Sequence, residues 1–128
     1  MRKLLAIVAA LILASSSLAQ SPKPDWNKWW SQFQSAVAKR DAQAVADMTF
    51  FPTQWELGKL HRVESKAGFI QKFDTYFPAH MREAVATKKP EGFPDGSYIV
   101  SWTYNKLDYT LDFTLDGKGG YRLNALVL

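Results

Sequence analysis

Asp74, Tyr76 and His80 are the side chains whose types and spacing best suit proton transfer. A carboxylate acts as a general base when burial brings its pKa near the working pH. Asp74 precedes Phe77 by three residues, so on a helix it flanks an apolar stripe. Tyr76 and His80 are one turn apart if that helix is continuous between them. The pattern predicts either a small isomerase- or lyase-type site, with Asp74 as base and Tyr76 or His80 assisting, or ordinary boundary residues at a sheet rim.

Aromatic side chains form a second candidate set, because their flat apolar faces can bind a ligand or a partner. Trp26, Trp29 and Trp30 lie within five residues of one another. A wide apolar stripe on one helix can bury all three, and the alternative is an exposed aromatic patch. For a small apolar ligand or a protein partner, we predict contacts from six residues: Trp26, Trp30, Tyr76, Tyr98, Tyr104 and Tyr109.

Several other kinds of site lack the residues that they need. The chain has no cysteine, which excludes disulfides and thiolate metal ligands. Its two histidines, His61 and His80, have no acidic cluster near them, so we predict no metal site. We find no Gly-x-Ser-x-Gly elbow and no phosphate-binding glycine loop, and we expect no cofactor. The formal charge of +4 is small and the basic residues are scattered, so nucleic acid is not an expected partner.

The candidate residues before position 90 depend on helices. Three polar residues suitable as N-caps are each followed by apolar residues at spacings of three and four, and they are Asp25, Asp41 and Ser65. The third helix should extend to Phe77, where Pro78 interrupts it before a shorter segment. Between the second and third helices, Gly58-Lys59 predicts the turn of a short hairpin that joins residues 55–57 to 60–63.

The last third of the chain changes to a period of two, which is typical of strands. A two-residue turn at 105–106 should place Trp102 opposite Tyr109, and a five-residue turn at 116–120 should place Phe113 opposite Leu123. This register predicts three antiparallel strands with one apolar face. In the last strand, that face should carry Tyr121, Leu123, Ala125 and Val127.

Two carboxylates on these strands face the other way. Asp108 and Asp112 alternate with the apolar residues, and four residues of strand separate them by about 13 Å. This distance is too long for a catalytic carboxylate pair, so we predict that both lie on a solvated sheet face. The apolar face needs the amphipathic helices as a cover, and together they predict a two-layer α+β domain.

The order of these elements resembles a known superfamily. The residues that carry the likeness are the aromatic-rich first helix, the segment Ala36-Val-Ala-Lys-Arg-Asp41, the Phe51-Pro52 stop, the Phe-x3-Phe-Asp-x2-Phe pattern of 69–77, and the strand meander. In this respect the chain resembles small exported proteins of the nuclear transport factor 2-like superfamily, also described as cystatin-like folds. The resemblance covers nearly all of residues 20–128. It implies a cone in which N-terminal helices pack on the concave face of a curved antiparallel sheet, with space for a pocket between them. The Gln-x-Val-x-Gly loop of cystatin inhibitors is absent.

The N-terminus has the three zones of an export signal. Two basic residues precede the apolar run Leu4–Ala14, and the small residues Ser17 and Ala19 stand before the expected cut. The run is shorter than the roughly 20 residues that span a bilayer. We therefore expect residues 1–19 to be a cleaved signal peptide and residues 20–128 to form a single domain. The protein should be exported, periplasmic or secreted, with no membrane anchor after cleavage.

The function predicted from these features is that of an exported, non-enzymatic binding or accessory domain. Its contact surface would be the apolar pocket or the aromatic patch. The alternative is the small enzyme that uses Asp74, Tyr76 and His80. The sequence does not name the ligand or the partner, and it leaves room for a homodimer.

Overall fold

Three side-chain caps begin helices where the sequence predicts them. In the computed structural model, which describes residues 25–128, Asp25, Asp41 and Ser65 each accept a hydrogen bond from the backbone N–H three residues further on. Each bond satisfies an N–H group that the first turn of a helix leaves unpaired. The helices that follow are α1 (Trp26–Ala38), α2 (Ala42–Asp47) and α3 (Lys66–Gln71). The predicted signal peptide at 1–19 lies outside the described residues.

The helical segment that was predicted to run from Ser65 to Phe77 is broken. After α3 come the four-residue helix α4 (Phe73–Tyr76) and then α5 (Ala79–Thr87). Pro78 has an extended backbone and no amide hydrogen, so it separates α4 from α5, as predicted. Tyr76 and His80 therefore do not lie one turn apart on a continuous helix. Among the helices in this part of the chain, none is long and apolar enough to cross a membrane.

One mixed sheet contains all the strands of residues 25–128. They are β1 (Thr49–Leu57), β2 (Leu60–Val63), β3 (Glu91–Gly92), β4 (Tyr98–Tyr104), β5 (Leu107–Leu115) and β6 (Tyr121–Val127), in the spatial order β2-β1-β6-β5-β4-β3. The predicted hairpin of β1 and β2 and the predicted meander of β4 to β6 are antiparallel. β1 lies parallel to β6, so the prediction of a wholly antiparallel sheet is wrong at that pair. The long connection through the helices and the meander is what permits parallel pairing.

The strand register is confirmed on both sides of β5. Trp102 pairs with Tyr109, and Phe113 pairs with Leu123. The two-residue turn between β4 and β5 has positive φ angles at both of its residues, 53° and 65°, as the favoured hairpin turn requires.

A bulge in β6 changes the face of its last residues. Asp112 is opposite Ala125, whereas the next residue of β5, Phe113, is opposite Leu123, so β6 has one extra residue at this point. Beyond the bulge, Leu126 is fully buried and Val127 is only partly buried. The prediction that Val127 continues the apolar face is wrong, because the inserted residue moves Leu126 onto that face.

Helices cover the middle of the apolar sheet face. The ring of Phe33 in α1 packs edge-on against Phe113 in β5 at 5.3 Å between centroids, and both side chains are fully buried. The helices do not cover one end of this face, where Tyr104 and Leu107 are 47% and 49% exposed. The α+β class is thus confirmed, and the apolar face extends past its helical cover.

Candidate functional site

Two side-chain hydrogen bonds, one from the sheet and one from α5, fix the link between α4 and α5. The indole N–H of the fully buried Trp55, in β1, donates to the backbone carbonyl of Tyr76 at 2.9 Å. The guanidinium of Arg82, in α5, donates to the carbonyl of Phe77 at 2.8 Å. These carbonyls are left without helical partners where α4 ends. The bond from Trp55 holds the link against the sheet, and the bond from Arg82 ties it to α5. The link thereby positions Tyr76 on one side of Pro78 and His80 on the other.

His80 is held by two aromatic residues of β4. Trp102 Nε1–H donates a hydrogen bond to His80 Nδ1 at 3.0 Å. The ring of Tyr104 stacks on the imidazole at 4.0 Å between centroids, with the planes only 3° apart. Since the indole N–H can only donate, Nδ1 must be unprotonated, and the proton of the neutral imidazole is on Nε2. Burial lowers the pKa of His80, which favours this neutral form.

The second nitrogen of His80 reaches solvent. Nε2 has no hydrogen-bond partner in residues 25–128, whereas every fully buried side-chain nitrogen or oxygen in that range has one. Nε2 is therefore not fully buried. His80 thus presents an N–H donor in an orientation that Trp102 and Tyr104 determine.

An apolar groove of about 660 Å³ extends from His80 to the turn between β1 and β2. We call it the rim groove. Its apolar wall consists of Leu57, Leu60, Tyr76, Pro78 and Tyr104, and its polar wall includes Lys72, Thr75 and His80. β1 and β4 both run parallel to β6. Leu57 and Tyr104 are the last residues of these two strands, so they lie at the same end of the sheet. The link between α4 and α5 completes the groove between these ends.

Comparison with known proteins does not assign this groove. No model of a protein family matches the sequence, and no curated protein matches it. Its function must therefore follow from its own residues.

The stacked pair of His80 and Tyr104 also borders a second, smaller groove. This groove, of about 230 Å³, lies between α5 and β4, where Glu83, Thr87 and Lys88 line it. Trp102 lines its floor. The pair therefore separates an apolar groove with a lysine from a polar groove with charges of both signs.

Asp74 lies apart from His80, on the surface. Its carboxylate pairs with the guanidinium of Arg40 at 2.7 Å, and the two side chains are 62% and 56% exposed. It borders a neighbouring groove of about 390 Å³, which shares Lys72 and Thr75 with the rim groove but includes neither Tyr76 nor His80. The structure therefore brings Tyr76 and His80 to one groove and leaves Asp74 outside it. A carboxylate this exposed lacks the low-dielectric surroundings that general-base catalysis uses.

The six predicted ligand contacts divide into two groups. Tyr76 and Tyr104 line the rim groove. The other four pack in or against the hydrophobic core, and they are Trp26, Trp30, Tyr98 and Tyr109. Trp26, for example, is 8% exposed and stacks on Tyr98 at 3.8 Å between centroids. The structure thus shows the three tryptophans of α1 as a wide core stripe, in which Trp29 is partly buried.

Six of the nine residues that line the rim groove were absent from the sequence-based candidates, among them Leu57, Leu60 and Lys72. Leu57 and Leu60 flank the predicted turn at Gly58-Lys59, so the hairpin pattern located them without indicating that they meet Tyr104. Lys72 caps the break between α3 and α4, and no pattern in the sequence distinguishes it from the other exposed lysines.

Proposed function

We propose that this protein is an exported, non-enzymatic binding domain of the nuclear transport factor 2-like type that holds a small apolar ligand in the rim groove. The observation that carries the proposal is the groove itself, which has aliphatic and aromatic walls and is lined by His80, whose ring is oriented by Trp102 and Tyr104. Export and the superfamily rest on the sequence patterns, and the α+β layering supports the latter.

The groove has the dimensions and composition of a small-molecule site. Such sites have volumes of roughly 300–1,000 Å³, with mostly apolar walls and a few polar groups that orient the ligand. The rim groove, at about 660 Å³, has Leu57, Leu60 and Tyr104 as apolar walls and few polar groups. Tyr104 is 47% exposed at its mouth, so a ligand would remove apolar surface from water.

The enzyme alternative has less support from the geometry. It requires Asp74 as a base near Tyr76 or His80, whereas Asp74 pairs with Arg40 and borders a neighbouring groove that neither Tyr76 nor His80 lines. His80 remains in the rim groove without an acidic partner, because none of the residues lining that groove is Asp or Glu. A binding site is therefore the better explanation of the groove.

A neutral fluorescent probe tests the proposal. N-phenyl-1-naphthylamine carries no charge, and its emission rises in apolar surroundings. The purified protein should bind it saturably, and Tyr104→Ala should weaken binding about three- to tenfold through the loss of one aromatic contact. Leu115→Ala is the matched control, because Leu115 is 43% exposed at the opposite end of the hairpin that carries Tyr104.

Two results would contradict the proposal. One is the absence of saturable binding by the folded protein. The other is equal weakening by Tyr104→Ala and Leu115→Ala, which would show that the probe reports exposed apolar surface in general.

A further inference from the structure

The rim groove has positive electrostatic character at its polar wall. Lys72 and His80 both line it, and Nδ1 of His80 already accepts from Trp102, so only Nε2–H of that ring remains to donate. No acidic residue lines this groove, whereas Glu83 lines the smaller groove on the other side of the His80–Tyr104 pair. An anionic group in the rim groove would therefore lie beside Lys72 and His80 and no carboxylate, whereas in the smaller groove it would lie beside Glu83.

We propose that the rim groove selects a small apolar molecule that ends in a carboxylate. The carboxylate would accept hydrogen bonds from His80 Nε2–H and the Lys72 ammonium, while the apolar body packs on Leu57, Leu60 and Tyr104. The inference rests on the proposed function, because it names the ligand class of the same groove.

The hydrogen bond from Trp102 makes His80 a preorganised donor. With Nδ1 already accepting from the indole, the neutral ring has its proton on Nε2 and cannot present an acceptor there. Stacking on Tyr104 restricts rotation of the ring. A donor whose orientation is set before binding loses little entropy when a ligand arrives, and hydrogen bonds to an ionised acceptor are stronger than those to a neutral one.

The positive charge of the proposed site is on Lys72 and not on His80. Burial lowers the pKa of His80, so the imidazole donates as a neutral group at neutral pH and Lys72 supplies the positive charge. The charged groups that border His80 are Lys72 in the rim groove and Glu83 and Lys88 in the smaller groove. A cationic ligand would meet Lys72 with no compensating carboxylate.

Three eight-carbon probes separate the apolar contribution from that of the head group. Octanoate, octan-1-ol and octylammonium would each compete at pH 7.5 for bound N-phenyl-1-naphthylamine. We expect octanoate to bind about tenfold more tightly than octan-1-ol, as the net gain from hydrogen bonds to a charged group predicts. Octylammonium should bind most weakly of the three.

Single substitutions assign the effect to residues. Lys72→Met and His80→Phe should each weaken octanoate binding severalfold more than octan-1-ol binding, because a donor lost to a carboxylate costs more than one lost to a hydroxyl. His80→Phe keeps a ring against Tyr104 but removes the acceptor for Trp102. If this variant does not fold, Lys72→Met decides the test, because Lys72 is exposed. Lys28→Met is the matched control, because Lys28 is an exposed lysine of α1 outside the rim groove.

The outcomes distinguish this inference from the proposed function. Equal affinity for octanoate and octan-1-ol, or no competition by octanoate for a probe that does bind, would overturn the carboxylate inference and leave the apolar site in place. An equal loss of octanoate binding in Lys72→Met and Lys28→Met would also overturn it, because the effect would then come from the net charge of the protein. If the neutral probe itself does not bind, both the carboxylate inference and the proposed apolar site are contradicted.

Discussion

The indole N–H of Trp102 donates to Nδ1 of His80 at 3.0 Å and so joins the core of the sheet to the rim groove. Trp102 is 8% exposed in the middle of β4, whereas His80, near the start of α5, is only partly buried. One hydrogen bond therefore couples the stability of the fold to the protonation of a residue in the candidate site.

The first prediction concerns pH. Burial lowers the pKa of His80 below its ordinary value of 6.5, so between its folded pKa and 6.5 the unfolded chain binds more protons than the folded one. The free energy of unfolding should therefore increase as pH rises through this range, reach its full value above 6.5, and fall as pH is lowered. Urea denaturation at pH 5.5 and 7.5 measures the difference. His80→Gln should show a smaller one, and an unchanged difference would contradict the assignment to His80.

The second prediction concerns the two faces of the sheet. Trp102→Ala removes a buried indole and should cost roughly 3–5 kcal/mol in the free energy of unfolding. Asp108→Ala on the exposed face should cost about 0.5 kcal/mol or less, because its carboxylate only accepts a surface hydrogen bond from Thr103. Denaturant melts of both variants provide the comparison. The reverse order of the two effects would mean that the faces are inverted.

The third prediction tests the bulge with adjacent residues of β6. Leu126→Ala should destabilise the protein by about 2–4 kcal/mol, since Leu126 is fully buried opposite Leu111. Val127→Ala should cost about 1 kcal/mol or less, because Val127 is only partly buried. Chemical denaturation would separate the two. A larger destabilisation by Val127→Ala than by Leu126→Ala would mean that β6 has the regular alternation predicted from the sequence.

The fourth prediction concerns Asp74. Asp74→Asn should lower the free energy of unfolding by less than about 1 kcal/mol, because the pair with Arg40 is exposed on both sides. It should also leave probe binding in the rim groove unchanged, since Asp74 borders a different groove. Arg40→Gln is the matched variant. Turnover of an enolisable or dehydratable compound that disappears in a folded Asp74→Asn protein would instead favour the enzyme alternative.

Local patterns predicted the elements of this fold well. The caps at Asp25, Asp41 and Ser65, the interruption at Pro78 and the pairing of Trp102 with Tyr109 are all observed. Each of these depends on neighbouring residues or on a short turn, where hydrogen-bonding geometry and side-chain alternation leave few options. The bulge in β6 was missed because a single inserted residue has no distinctive residue type in this strand.

The site depended on contacts between distant parts of the chain. From the sequence, Tyr76, His80 and Tyr104 were candidates. Helical spacing grouped Asp74 with Tyr76 and His80, and Leu57 and Lys72 were not among the candidates. The parallel pairing of β1 with β6 brings Leu57 to the end of the sheet that Tyr104 also occupies, and the bond from Trp102 sets the tautomer of His80. The sequence alone thus determined the helix caps, the hairpin turns and the strand alternation, because these depend on local periodicity, whereas it did not show that β1 begins at Thr49 or that the helix breaks at Lys72. Only the tertiary structure decided which side chains share a groove, because that depends on packing between segments that are far apart in the chain.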